Sequence, residues 1–442
     1  MIWVYRLAFI PLFVLAMPYY AYRMWRRGGY RADFSQRFGS FPNLPAKRTN
    51  AHRVWIQAVS VGEVMAIEPV VTRLLASSQF EVIITTTTST GYRQAKVRYA
   101  DHVLAVGLFP FDFLLFSKRA HGRIRPDVII QTESELWPEH LHQARKRDLP
   151  TFLINARISE RSFRRYRKVR PLSRWLFAKV SDIFPASPLD RERLEAITEN
   201  PSQIRSTGSI KFDVSTPPLL NAEEKRERIC QLGLYAENQQ GSLPVIILGS
   251  STWPGEERML INTTAKLLEA GYDCRLILIP RHAERRDEVV SILKQQPLAW
   301  AVRSLKHRTD QNTRIYLADT TGELFHFTQI ADIAFIGKSM VGNKGGQTPI
   351  EGAALSIPML CGPNMDNFSH IIASLKDHDG IVEVSAEAAF EGALTQLVKD
   401  RKRRQTLGSN AKNWHASMQG SSQKIVEAIM NICGNGDQTR SE

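Results

Sequence analysis

The sequence is poor in the residues that build metal and redox centres. Its four cysteines, Cys230, Cys274, Cys361 and Cys433, are scattered with no C-x-x-C spacing. That supports neither a disulfide framework nor a zinc site and reads as idle thiols in a reducing compartment. No G-x-x-x-x-G-K-[ST] run occurs, which disfavours Walker-type nucleotide hydrolysis. No repeat of 20–50 residues is visible, which argues against a solenoid. Acidic residues are also in deficit, 44 Asp and Glu against 58 Lys and Arg, for a net charge of +14. Such an excess points to an anionic partner: nucleic acid, an acidic membrane surface or a phosphorylated substrate. Nucleic acid is the weakest of the three, because no RNA-binding motif appears and the basic residues are not interleaved with aromatics. What the chain does have is length, 442 residues with 43% apolar, enough for two or three domains with real cores.

The N-terminus is different in kind. Residues 7–22 carry no charge and are flanked by Arg6 and by Arg23, Arg26 and Arg27. This run is short of the roughly 20 apolar residues of a comfortable span. Adding residues 1–5 restores the length if Arg6 snorkels. A cleaved signal peptide wants a small-residue cleavage site, whereas this segment runs into aromatics and arginines. A core helix of a soluble domain is the other competitor. A retained membrane anchor or interfacial helix fits best, with Tyr19, Tyr20, Tyr22 and Trp25 as an interfacial belt. The arginines that follow place the bulk of the chain on the cytoplasmic side.

Beyond this segment, short β-rich runs alternate with helical stretches. Strands are predicted at 54–59, 82–87, 102–107, 127–132 and 151–155, and again at 245–249, 275–279, 313–318, 333–336 and 358–361. Apolar runs of this kind, separated by amphipathic segments, imply parallel sheets buried on both faces. The expectation is an α/β protein of two Rossmann-like domains facing across a cleft. Its parts are an anchor (1–27), a first domain (28–212), a Ser-Thr-Pro-Pro linker (213–220), a second domain (221–425) and a tail (426–442). Ligands of such sheets sit beyond the carboxyl ends of the strands, so the loops there carry the chemistry.

After the first strand, Ser60-Val61-Gly62-Glu63 places Glu63 in the first turn of a helix. It suits either a macrodipole-favoured acid or a general base kept ionised by the same dipole. After the fourth strand, Glu133 and Glu135 lie two apart; a turn at Ser134 sends one to the cleft and leaves the other structural. Asn155-Ala156-Arg157 ends the fifth strand, and six of the ten residues from Arg161 to Arg170 are basic, with Arg161, Arg164, Arg165 and Lys168 on one helical face. That is a solvated face or a site for a phosphorylated lipid. Lys211 precedes the linker. In the second half, the small-residue loop 249–257 and the two glycines Gly345-Gly346 before Thr348-Pro349-Ile350-Glu351 are expected to offer backbone N–H groups to an anion. Arg281 suits bidentate phosphate binding, and Asp319-Thr320-Thr321-Gly322-Glu323 is a further strand-to-helix turn.

Together these segments resemble the 3-deoxy-D-manno-octulosonic acid (Kdo) transferases of bacterial lipopolysaccharide assembly. The resemblance rests on Tyr30-Arg31…Arg37-Phe38-Gly39, WIQAVSVGEV, ESELWP, NARISERS, GSIKFD, the PRH–ER run, DTTGEL and GGQTPIE…GPNMDNF, and covers most of the chain. It implies a GT-B fold, metal-free and cofactor-free transfer of Kdo from CMP-Kdo to a lipid A precursor with inversion, and an inner-membrane location facing the cytoplasm. On the matching positions, Glu63 is implied as catalytic base and Glu133 and Lys211 as transition-state stabilisers. CMP contacts are implied at Pro280, Arg281, Thr321, Gly322, Glu323, Thr348, Pro349, Ile350 and Glu351. The basic face adds Arg157, Arg161 and Arg164 as acceptor contacts. Gln347-Thr348 stands where the family more often has His-Asn. A GT-B enzyme with another nucleotide sugar, or a membrane-bound polyanion binder, are the alternatives.

Overall fold

The computed structural model describes residues 1–27, 33–216, 218–235, 242–306, 309 and 312–438. Tyr30 and Arg31 of the expected element, and Pro217 of the expected linker, lie outside them. The chain divides into two units, Met1–Ser215 with Met418–Glu442, and Thr216–Ser417.

In the first unit six strands form one parallel sheet: β1 (His52–Gln57), β2 (Phe80–Thr86), β3 (Ala105–Leu108), β4 (Val128–Thr132), β5 (Thr151–Ala156) and β6 (Asp182–Pro185). Their order is β3-β2-β1-β4-β5-β6, the doubly wound order of dinucleotide-binding folds, and the chain reverses direction across the sheet between β1 and β4. These two strands pair in register from Val54↔Val128 to Gln57↔Gln131, so their carboxyl ends are level. Helices cover both faces, and every residue of β2 and β4 is buried, as the continuous apolar runs required.

The second unit holds β7 (Val245–Thr252), β8 (Cys274–Pro280), β9 (Trp300–Val302), β10 (Ile315–Leu317), β11 (Ile333–Ile336), β12 (Met359–Cys361) and β13 (Val382–Glu383). They form a second parallel sheet in the order β13-β12-β11-β7-β8-β10-β9, reversing between β7 and β11.

The expected boundaries change at the C-terminus. Residues 426–438 of the expected tail are helical: the helix Ser421–Gln438 follows Met418, where the chain returns to the first unit. Its Ile425, Val426, Ile429 and Cys433 are buried in the core beneath β1 and β2. Asp213 fixes the start of this helix, accepting from the N–H groups of Gly420 (2.7 Å) and Ser422 (2.5 Å). Spacings of four along the helix put these side chains on one face, and burying them ties the chain's end to its first half.

At the other end, Ile2–Arg27 is one helix, and Ile2–Tyr22 is long and apolar enough to cross a membrane. Arg6 does not snorkel. It forms a two-pronged ion pair with the fully buried Glu139 (2.8 and 2.9 Å).

Candidate functional site

The carboxyl edge at the β1/β4 reversal gathers three expected residues. Ser60 caps the helix Val61–Ala66, its side chain accepting from the Glu63 N–H. The spacing Ser60-x-x-Glu63 is that of a capping box, but the Glu63 carboxylate reaches further back. It accepts from the Val59 N–H (3.0 Å), from the Ser60 hydroxyl (2.9 Å) and from the Thr132 hydroxyl across the strand gap. Burial pushes the Glu63 carboxyl up from the usual range, and the charge of Glu133 adds to this; the hydrogen bonds from Thr132, Val59 and Ser60 oppose it. Thr132 has a second acceptor in the Gln57 carbonyl at 3.0 Å.

Glu133 follows β4 in the left-handed region, φ 54, a conformation that costs a non-glycine residue about 1–3 kcal/mol. That backbone turn aims its side chain at Lys211 Nζ, 3.0 Å away and partly exposed like its partner. Asn155, also left-handed at φ 51, donates to the same Glu133 oxygen at 3.4 Å and accepts from the Ser209 hydroxyl at 2.8 Å. The two expected stabilisers are therefore bound to each other. Lys211, just before the expected linker, is held at this edge by the turn Ile210–Asp213.

Glu135 was given no role from the sequence, yet it belongs here. Burial, then the neighbouring charges of Glu63 and Glu133, lift its carboxyl to about 7. Three carboxyl groups thus share one edge; the dense acid spacing of 133–135 was the available signal.

The basic helix Glu160–Lys168 buries none of its residues. Arg161 is exposed, and Arg164 is exposed and paired with Glu160 at 2.8 Å. Arg157 sits closer to the carboxylates: its N–H donates to the Glu133 carbonyl (3.3 Å), and its buried Nε has no partner among the described residues.

The second unit treats its expected residues differently. The loop 249–257 supplies a carboxylate of its own to nearby N–H groups. Fully buried Glu256 accepts from the N–H groups of Trp253 (2.9 Å), Lys338 (2.8 Å), Ser339 (2.8 Å) and Met340 (3.0 Å). Similarly, the N–H groups of Gly345 and Gly346 go to the carbonyls of Asn364 and Lys338, both at 3.0 Å. These glycines are needed for shape: φ is 103 and 69, and a Cβ on Gly346 would meet Met365 Sδ at 2.3 Å. Glu323 is claimed by Arg303 (Nε 2.6 Å) and by the Thr320 hydroxyl, with the Arg303 bond holding its carboxyl below the usual range. Thr321, Gly322 and the Arg281 side chain are exposed, and Pro280 ends β8. The short helix Ile350–Ala354 has Pro349 at its capping position, and the Thr348 hydroxyl accepts from the Ile350 N–H at 3.2 Å. Glu351 lies half-buried in its first turn. Among the described residues, no three His, Cys, Asp or Glu side chains converge as a metal site.

Comparison with known proteins agrees with the geometry. Residues 32–214 match the family model described as 3-deoxy-D-manno-octulosonic-acid transferase (kdotransferase). The chain is 30% identical over 402 residues to the 3-deoxy-D-manno-octulosonic acid transferase of Haemophilus influenzae, covering 90% of this chain and 91% of that one. With the transferase of the same name from Bordetella pertussis it shares 31% over 425 residues, covering 93% and 95%. Among solved structures, a glycosyltransferase from Rickettsia africae matches with a TM-score of 0.58 at 13% identity, over 87% of this chain and 99% of that one, a likeness of fold in which paired parallel α/β sheets are typical of GT-B enzymes. With full-length identity at this level to two such enzymes, the chain belongs to the family of 3-deoxy-D-manno-octulosonic acid (Kdo) transferases.

Proposed function

We propose that this chain moves Kdo from CMP-Kdo to a hydroxyl of a phosphorylated lipid A precursor, with inversion at the anomeric carbon and Glu63 as the general base. The observation that carries the reading is the bonding of Glu63. Two of its three donors are hydroxyls, and a hydroxyl can donate or accept. When Glu63 takes a proton it can donate to Thr132, whose own hydrogen then turns to the Gln57 carbonyl, 3.0 Å away. Proton uptake therefore leaves no buried group unpaired, as a base cycling through both states requires.

Inversion needs one base on the face opposite the leaving phosphate. As the bond to CMP breaks, positive character grows at the anomeric carbon and negative charge on the phosphate. The Glu133 carboxylate suits the first and the Lys211 ammonium the second. The nucleotide is assigned to the second unit, with Arg281 and the Thr348 turn toward phosphate, Pro280, Thr321, Gly322, Pro349 and Ile350 as backbone and packing contacts, and Glu323 and Glu351 as acceptors. Because Arg303 already holds Glu323, that residue fits a positioning role better than direct contact. Arg157, Arg161 and Arg164 are assigned to the acceptor's phosphates. The apolar helix Ile2–Arg27 and the basic surplus support work at the cytoplasmic face of the inner membrane.

The test supplies CMP-Kdo and a tetra-acylated, bisphosphorylated lipid A precursor to the purified protein, and follows CMP release and the mass of the lipid. Lipid heavier by one or more Kdo units, in step with CMP, is expected. Unchanged lipid, or transfer from a UDP-sugar instead, contradicts the proposal.

A further inference from the structure

The apolar N-terminal helix is fastened to the first unit along much of its length. Tyr5 donates to the buried Asp112 (2.6 Å), and Arg6 pairs with buried Glu139. Asp112 in turn accepts from the N–H groups of Glu139 (3.1 Å) and His140 (2.9 Å), so both clamps end on one helix start. Phe9 stacks on Phe113 at 5.7 Å, and Phe13 meets Phe111 edge-on at 5.3 Å. Among residues 1–22 the half-covered positions are 2, 5, 6, 9, 13 and 16, which form a single stripe at helical spacing. All around that stripe the helix is exposed and apolar, as at Trp3, Val4, Leu7, Leu12 and Leu15.

Length then decides the geometry. With residues up to 16 docked on the protein, only residues 17–27 project, about 16 Å of helix at 1.5 Å per residue. A bilayer's hydrocarbon core is about 30 Å thick. Undocking the helix to gain length would strand buried Glu139 and Asp112, and a buried carboxylate that loses its partner is strongly destabilising.

Charge points the same way. At the helix's first residues, Met1 and Ile2 border a cavity of about 810 Å³ lined by Arg145, Arg170, Arg174 and Lys179 against the single acid Glu199. The far end carries Arg23, Arg26 and Arg27. Cationic groups thus flank both ends of the apolar segment, whereas a crossing helix concentrates them on one side. The cluster beside Met1 suits anionic lipid headgroups, which attract cations held near the membrane surface.

We infer that the helix does not cross the bilayer: it lies in one leaflet, docked on the first unit by Tyr5 and Arg6, with both ends on the side of the catalytic units. The occupant of its exposed apolar face is the acyl layer of an anionic membrane. This rests on the membrane location proposed above, and the experiment separates the two. Single cysteines are introduced as Ile2→Cys beside the basic cavity and Ser78→Cys on the exposed surface of the first unit, in a Cys230→Ser background. Fractionation comes first: protein left in the soluble fraction would overturn the membrane location and this inference with it. Membrane-bound protein is then treated with a membrane-impermeant maleimide in spheroplasts and in inverted vesicles. Labelling of both cysteines in inverted vesicles and of neither in spheroplasts is the expected result. Labelling of Ile2→Cys in spheroplasts, with Ser78→Cys still confined to inverted vesicles, would establish a crossing helix and overturn the inference while leaving the membrane location standing.

Discussion

Glu63 and Glu256 occupy the same place in two copies of one architecture. Each sits in the first turns of the helix that follows the strand where its sheet reverses, and burial raises the carboxyl of each. Their partners differ. Glu256 is surrounded by four backbone N–H groups, which only donate, so protonating it must orphan a donor. Glu63 has one N–H and two hydroxyls, and hydroxyls reverse. One carboxylate knits two loops together through donors that cannot reverse; the other has hydroxyl partners that can follow a proton on and off. Position in the fold is shared, and the reversibility of the hydrogen bonds is what sets the two apart.

The largest expected effect separates the two directly. Glu63→Gln should lower Kdo transfer by about 10²–10⁴-fold, the usual weight of a general base, with the thermal midpoint nearly unchanged. Glu256→Gln should do the reverse in kind, destabilising the second unit by about 1–3 kcal/mol for each N–H left unpaired, as read by denaturant unfolding. Loss of turnover at full stability in Glu256→Gln breaks the comparison.

Next in size is the Glu133–Lys211 pair. Because the two groups bond at 3.0 Å, Glu133→Gln and Lys211→Met should be non-additive in kcat/KM. A double-mutant cycle is expected to give a coupling of about 0.5–3 kcal/mol; simple additivity contradicts the pairing.

A smaller, purely electrostatic effect concerns Glu135, whose folded carboxyl lies near 7 against about 4.3 when unfolded. A raised acid pKa favours folding most while the group is protonated in both states, and that advantage is lost as pH climbs from the unfolded value through 7. Glu135→Gln should therefore stabilise the protein more at pH 8 than at pH 5, by on the order of 1–3 kcal/mol. Equal effects at both pH values in chemical denaturation count against it.

Smallest is the shift from Thr132→Val. Its hydroxyl is the strongest of the bonds that hold the Glu63 carboxyl down. Removing it should move the acid limb of kcat/KM up by about one pH unit or less.

Ten of the thirteen strands among the described residues were legible in the sequence, because parallel strands buried on both faces read as unbroken apolar runs. β13 has two residues, too few to show any pattern, and the three-residue β9 was missed. β6 has only four, opening on Asp182, which pairs with Arg205. Most of the helix Ser421–Gln438 read as a tail because nothing local says that it returns to the first core. At the site, Glu63 was legible through the Ser60-x-x-Glu63 spacing. The Lys211 bond to Glu133 spans 78 residues and depends on a left-handed turn no composition encodes. In the second unit small residues do bring N–H groups together, but sequence does not say which acceptors the chain itself supplies, Glu256 to Trp253 and residues 338–340 and the carbonyls of Asn364 and Lys338 to Gly345 and Gly346.

The central claim, that Glu63 is the group whose proton is exchanged in transfer, is tested most directly by the pH dependence of kcat/KM in wild type and in Glu63→Gln. A base must be deprotonated to act, so wild-type activity should fall as pH drops through a pKa above the ordinary carboxylate value, and the residual activity of Glu63→Gln should lose that acid limb. An acid limb unchanged in Glu63→Gln contradicts the account.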